Sequence, residues 1–428
     1  MQVLSRGGSN VRRFSFLALF LLPLTSFSIG FEEAYLKIKS DYPAFGQIEN
    51  QLAAAKSRTL PGYFQWLPSL TAVATQNDSS SAYDVFTRSR SIGLTSQLSL
   101  FSGGSNWAEL RLSRIASKSA DLAYSKRFLE LEAEALSALL NYIYQQEKLE
   151  IAYARIENKE QSIEIAQRMF KKGRIPRSEY EKLSIELSNA KAQLEDSRLA
   201  EFETQANLLR YLEGEKLDIK WPWVDSLPTV IARIEVKSDQ NSLEENLDYL
   251  SVKQSLEAQD YLLMKSRAAL MPNLALVGSY GRSYEHFTPL GDSNAWSLGL
   301  TLSIPLFQKF SAWGPYRAQV HQNAASAKAF ELTKRETRKS ISFSRSEMLV
   351  ATKSAVARDK ILNQSRSLFE KSLKLFQSGR IDVNTLGNDE DRWLTSRELA
   401  VDGWRRAHLA FINFCHTRGQ SVDSCRKL

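Results

Sequence analysis

The chain has 428 residues, 43% hydrophobic and 24% charged, which is the balance of an ordinary folded protein and excludes a low-complexity or disordered chain. Its net charge of +8 is spread among alternating Glu, Lys and Arg and does not cluster with aromatic residues, so no nucleic-acid module is expected. The histidines, His286, His321, His408 and His416, are scattered and no phosphate loop, nucleophile elbow or metal spacing accompanies them. Neither an enzyme nor a cofactor or metal site is expected.

Arg12 and Arg13 precede an apolar run from Phe14 to Leu24 and small residues at Ser26 and Ser28. That order predicts a secretory signal peptide over 1–28, because the run is far short of the ~20 residues of a spanning helix. Removing it takes away three arginines and leaves a charge of about +5. Beyond it no stretch approaches 18 uninterrupted apolar residues, which excludes helical membrane spanning and leaves strands or an interface helix for any membrane contact.

The rest of the chain is a duplication. Ser91-Ile92-Gly93-Leu94-Thr95 returns as Ser297-Leu298-Gly299-Leu300-Thr301, and Phe170-Lys171-Lys172-Gly173-Arg174-Ile175 returns as Phe376-Gln377-Ser378-Gly379-Arg380-Ile381, both at an offset of 206. Leu67-Pro68-Ser69-Leu70 matches Met271-Pro272-Asn273-Leu274 at 204. The units run over 29–214 and 242–419, joined by a linker at 215–241 with Trp221-Pro222-Trp223 and Pro228 that reads as having little regular structure, and followed by a tail at 420–428. Each predicts a helix, two strands, a very long helix, a glycine-centred turn and a shorter helix.

The strand pairs fall at about 67–77 and 91–101, and at about 271–281 and 296–305. Ile92, Leu94, Leu98 and Leu100 alternate with Gly93, Thr95, Gln97 and Ser99, as Leu298, Leu300 and Leu302 alternate with Ser297, Gly299, Thr301 and Ser303. Each strand is thus apolar on one side and polar on the other, at the length that crosses a bilayer when tilted. A half-buried strand of a soluble sheet has the same alternation. The segments 77–90 and 281–294, rich in Ser, Asp, Gly and Tyr, read as exposed loops. Because four strands cannot close a barrel in lipid, the barrel must be shared among chains.

The long helix is expected over 104–172, with Ile115, Leu122, Leu129, Leu136 and Ile143 recurring every seven residues as a coiled-coil seam. At ~1.5 Å per residue it extends about 100 Å. A helix over 177–213 follows. The last helix carries its own register in Leu386, Trp393, Ala400, Ala407 and Phe414. Gly173 and Gly379 end helices at the extremity far from the strands. Cys415 and Cys425, in an exported chain, are either a disulfide that tethers the tail or two unpaired thiols.

These features together resemble the TolC-like outer membrane efflux protein family over essentially the whole chain after the leader. The resemblance rests on the two Pro-bearing strand starts, the Leu100-Phe101 and Leu306-Phe307 strand ends, and the two Phe-x-x-Gly turns. It implies a mainly α fold with a transmembrane β-barrel portion: long antiparallel coiled-coil helices forming a periplasmic α-barrel, and four strands per chain in a shared 12-stranded trimeric barrel. It further implies a homotrimer in outer-membrane lipid, serving as the passive exit duct of a tripartite efflux or type I secretion system.

Its partners would be a periplasmic adaptor (membrane fusion) protein and an inner-membrane pump of RND or ABC type. The adaptor would meet the tips at Gly173, Arg174, Ile175, Gly379, Arg380 and Ile381. Some relatives close the inner end with aspartates six and nine residues after the second tip glycine, where this chain has Thr385 and Asn388. Asp382, Asp389 or Asp391 could instead form an acidic ring, and Glu179 could pair with Arg380. A periplasmic coiled-coil stalk or adhesion protein without channel activity is the alternative, which explains the heptads but not the apolar strand faces.

Overall fold

The computed structural model describes residues 30–80, 86–212, 227–236, 242–285, 293–307 and 310–426; the expected signal peptide lies outside them. Helices α1 (Phe31–Asp41) and α2 (Pro43–Tyr63) lead to strands β1 (Ser69–Ser80) and β2 (Phe86–Ser102), then to α3 (Ser105–Lys171) and α4 (Arg177–Leu208). After α5 (Leu227–Val236) the plan repeats: α6 (Ser242–Glu245) and α7 (Leu247–Ala268), β3 (Asn273–Glu285) and β4 (Ser293–Ser303), α8 (Trp313–Gln377) and α9 (Val383–Thr417). A short α10 (Val422–Arg426) ends the described chain. No helix among the described residues is long and apolar enough to cross a membrane.

The long helices pair as antiparallel coils, α3 with α4 and α8 with α9, and α3 lies against α9, so the half far from the sheet is ordered α4, α3, α9, α8. Toward the sheet the order is α2, α3, α7, α8. Ile115, Leu129, Leu136 and Ile143 of the α3 seam are buried, and Leu122 is half-buried where the apolar stripe thins. A second seam runs along α8, where Ile341, Met348, Ala355, Phe369 and Phe376 are buried at multiples of seven. Between its apolar members lie buried Ser344, Thr352 and Ser365, whose hydroxyls donate to the carbonyls of Ile341, Met348 and Leu362 at 3.1, 2.9 and 2.9 Å. Satisfied by its own helix, each behaves as a small core residue.

The structure departs from the expected plan in the linker and at the strand ends. The segment read as an unstructured linker contains α5, with Pro228 in its first turn and Leu227, Val230 and Ile231 buried in the main core. The strands reach further into the segments read as loops, to Ser80 and Glu285 and from Phe86 and Ser293. The tail beyond 420 forms α10.

Cys415 and Cys425 are joined in a disulfide with Cα atoms 5.8 Å apart, turning α10 back onto α9. The knot this makes is dense. Glu132 of α3, fully buried, accepts from the Tyr35 hydroxyl of α1, from His416 Nε2 at 3.3 Å and from the Val422 amide at 3.2 Å. Burial and the Glu132 carboxylate raise the Tyr35 phenol far above its ordinary range, so it remains a donor. Asn246 Nδ2 donates to the Thr417 carbonyl at 2.6 Å, and Arg418 and Gln420 reach Glu245 at 3.2 and 3.0 Å. Opening the bridge by Cys415→Ser is therefore expected to cost about 2–4 kcal/mol, read as a lower thermal midpoint in detergent that reductant reproduces in the unsubstituted protein.

Candidate functional site

The sheet is a single antiparallel meander in the order β1-β2-β3-β4. Opposed residues share a face, and the register puts Ala72, Leu94, Tyr280 and Trp296 in one row and Leu98, Leu276 and Leu300 in another. Thr71, Thr95, Ser279 and Ser297 form a row of the opposite face. One face is thus apolar across all four strands. The other carries hydroxyls and small residues, some joined across strands, as Thr75 to Ser91 at 2.6 Å and Ser279 to Ser297 at 2.8 Å.

The expected lipid-facing residues lie on the apolar face, with Leu298, Leu300 and Leu302 at least 60% exposed and Ile92 and Leu94 also open; Leu98 is half-buried. Leu100 departs from the simple alternation. The β2–β3 register shifts between Ser99 and Phe101, which puts Phe101 opposite Leu274 and leaves Leu100 as the extra residue of a bulge. The alternating pattern in the sequence cannot reveal such an insertion.

On β4 and its continuation the apolar stretch runs nine residues, from Trp296 to Ile304, which matches the ~9–11 needed to cross a bilayer. Aromatic side chains mark both ends: paired Tyr280 and Trp296 at the outer one, and exposed Phe64, Trp66, Phe101, Phe307 and Phe310 where the strands meet the helices. Aromatic residues at both ends of an apolar face of this length are the pattern of strands that cross a bilayer. Phe310 stands 206 residues after Gly104, and both have positive φ, 63° and 92°. A bulky residue held there is strained, and Phe310 is exposed and packs edge-on against Phe307 at 6.2 Å.

At the far end the two turns have the same construction. Gly173 has φ 66° and Gly379 φ 73°; open space surrounds both, so the left-handed backbone alone calls for glycine. The Arg174 and Arg380 amides close the helix ends on Met169 and Leu375 carbonyls, each at 2.9 Å. Arg174 and Arg380 are exposed, while Ile175 and Ile381 turn inward against a shared core of Met169, Leu183, Phe376 and Val383.

The acidic candidates have partners within the chain. Asp382 caps α9, accepting from the Thr385 amide at 2.7 Å, and its hydrogen bonds from Thr385 hold its carboxyl below the usual range. Asp389 accepts from Ser372 Oγ at 2.6 Å and meets Arg392, and Asp391 pairs with Arg155 at 3.1 Å. Half-buried Glu179 and exposed Arg380 do not form an ion pair with each other among the described residues.

Sequence reasoning missed the buried charge above the tips. Lys159 of α3, 4% exposed, lies 2.9 Å from Glu390 of α9 and 2.9 Å from Glu186 of α4, tying three helices together. Burial works against the Lys159 charge, but Glu390 and Glu186 outweigh it and push its pKa up. Burial pushes the Glu390 carboxyl up against the pull of Lys159, and Glu390 Oε1 has no hydrogen-bond partner. In sequence these are three charges among dozens on long helices.

The profile of the outer membrane efflux proteins matches residues 41–214 and 240–402. The chain belongs to that family. It is accordingly an outer-membrane protein. The alkaline protease secretion protein AprF of Pseudomonas aeruginosa is 22% identical over 301 residues, covering 66% of this chain and 60% of AprF. The outer membrane protein OprJ of the same organism is 24% identical over 212 residues, covering 47% of this chain and 42% of OprJ. The match therefore spans less than two thirds of the length of either curated relative. CusC, solved in a study of transmembrane channel formation, has the same fold at a TM-score of 0.79 with 15% identity, over 91% of this chain and 92% of that one.

Two outcomes follow for the tips. Lys159→Met, by leaving Glu390 buried and unpaired, should cost about 3–5 kcal/mol, and adding Glu390→Leu should recover most of it; Trp393, stacked on Phe369 at 5.0 Å, gives the fluorescence readout. Because the Asp382 pKa is depressed, its support for the α9 cap is present above the ordinary aspartate range and lost as pH falls through the folded value. Asp382→Ala, or acid, should therefore lower the protection factor, taken relative to the intrinsic exchange rate at each pH, at the Thr385 and Leu386 amides, and Asp382→Asn should not.

Proposed function

We propose that three copies of the chain close a ring of twelve strands in the outer membrane, continued by a tunnel of long helices, and act as a passive exit duct of a tripartite efflux or type I secretion system. The observation that carries this is the open sheet: β1 and β4 each leave one edge unpaired, while one face is apolar over a bilayer's depth. Edge amides and carbonyls in lipid cost several kcal/mol each, by order of magnitude, unless paired. Since the strands alternate in direction, β4 of one copy meets β1 of the next antiparallel, and the ring closes without a mismatch.

The hydroxyl-lined face then bounds a wide, uncharged and weakly selective lumen. Cargo, whether small molecules or polypeptides, would be chosen upstream. The family membership and the name of AprF, a protease secretion protein, support export. Energy would come from an inner-membrane RND or ABC pump, reached through a periplasmic adaptor at the tips Gly173, Arg174, Ile175, Gly379, Arg380 and Ile381; the duct itself carries out no catalysis. A soluble stalk would leave the apolar sheet face in water.

The test is the mass and conductance of the protein purified from membranes. A particle of about 140 kDa, three copies of a 48.5 kDa chain less its leader, that opens aqueous pores in planar bilayers is the expected result. A water-soluble monomer without pores would overturn the reading.

A further inference from the structure

The lateral flanks of the helical half are chemically unlike each other. In the order α4, α3, α9, α8 the outermost helices are α4 and α8, and among the described residues each has an exposed side turned away from the helix it pairs with. On α8 that side carries Leu332, Phe343, Val350, Ile361, Leu368 and Leu375, all exposed. Their spacings of seven and eleven residues return to one side of a helix. On α4, Ile185 and Leu199 are exposed at four-turn spacing, with exposed Phe202 beside them. Measured from the tip glycines, the exposed apolar residues of α4 from Ile185 to Phe202 cover positions 12–29, and those of α8 from Leu375 to Leu332 cover positions 4–47. The α4 band thus falls within the height that the α8 band covers.

The charges beside these bands are opposite. Helix α8 has 13 basic and 5 acidic residues, and α4 has 4 basic and 7 acidic. Lys353 and Lys371 stand three residues after Val350 and Leu368, and Lys360 directly precedes Ile361, so a basic row adjoins the apolar stripe. Asp196 and Glu203 lie eleven and eighteen residues after Ile185, on its side of α4. All five are exposed and none makes a side-chain hydrogen bond or ion pair within its chain among the described residues.

We infer that the seam between neighbouring copies is the basic, apolar flank of α8 docked on the acidic, apolar flank of α4 of the next copy. This rests on the ring proposed above and specifies how it is assembled. A two-fold dimer through α8 would set lysines against lysines, and one through α4 carboxylates against carboxylates, so only head-to-tail contact joins unlike charges. That contact is the kind that generates rings. The polarity of the seam thus selects ring closure over pairing, and it does so in the same sense as the sheet, where β4 and α8 belong to one edge of the chain.

The experiment compares the full-length wild-type chain with two variants in detergent, by light-scattering mass at low and high salt. Lys353→Glu/Lys360→Glu/Lys371→Glu and Asp196→Lys/Glu203→Lys are each expected to raise the monomer fraction at low salt about tenfold or more. Combining the two sets in one chain is expected to restore assembly, which a variant that merely misfolds would not show. Circular dichroism reports helix content throughout. If each charge-reversed chain assembles like the wild type, or the combined chain fails to reassemble while retaining its helices, the seam is wrong and the ring stands. A monomeric wild-type chain would overturn the ring itself.

Discussion

Backbone hydrogen bonding in a medium without water is the constraint from which the architecture follows. Four strands with an apolar face are stable in lipid only if their outermost amides and carbonyls find partners, and the chain holds no fifth strand among its described elements to supply them. In the ring proposed above, neighbouring copies supply those partners, and a single copy would be an unfinished object. The helices carry the order of the sheet onward, because β2 continues into α3 and β4 into α8.

The helices answer a different requirement, reach at constant cross-section. A coil of 65–67 residues is held straight by one seam residue per seven, which leaves most of the surface free for charges. The chain uses this freedom unevenly. Where three helices converge above the tips it buries Lys159 between two carboxylates, and where the ends of the chain meet it buries Glu132 under a phenol, an imidazole and an amide. Removing one member of such a cluster is more harmful than the cluster is helpful, so these sites fix which helix lies beside which, while heptads alone would permit sliding.

The duplication, the strand faces, the α3 seam and the tip glycines were legible because each leaves a periodic or repeated mark. The second seam on α8 was not, since Ser344, Thr352 and Ser365 read as polar and only their hydrogen bonds to the preceding turn make them core. The α5 helix was hidden by the prolines around it, although Pro228 is a helix start and not an interruption. The bulge at Leu100 and the buried Lys159 cluster depend on partners far away in sequence, Leu274 for one and Glu390 for the other, and no local pattern announces them. Alternation of side chains gave the two faces of the sheet; the register between strands gave the rows.

The knot around the disulfide has a kinetic meaning. Its contacts join the last helix to α3 and α1: Val422 reaches back to Glu132 and Arg426 to Glu32, at separations of 290 and 394 residues. Contacts of such high order form late and slowly, and these need the last helix to be present. The main core, which includes Val422 and Cys425, is complete only once that helix has been made. The four strands, complete by Ser303, are therefore made more than a hundred residues before the contacts that finish the scaffold carrying them.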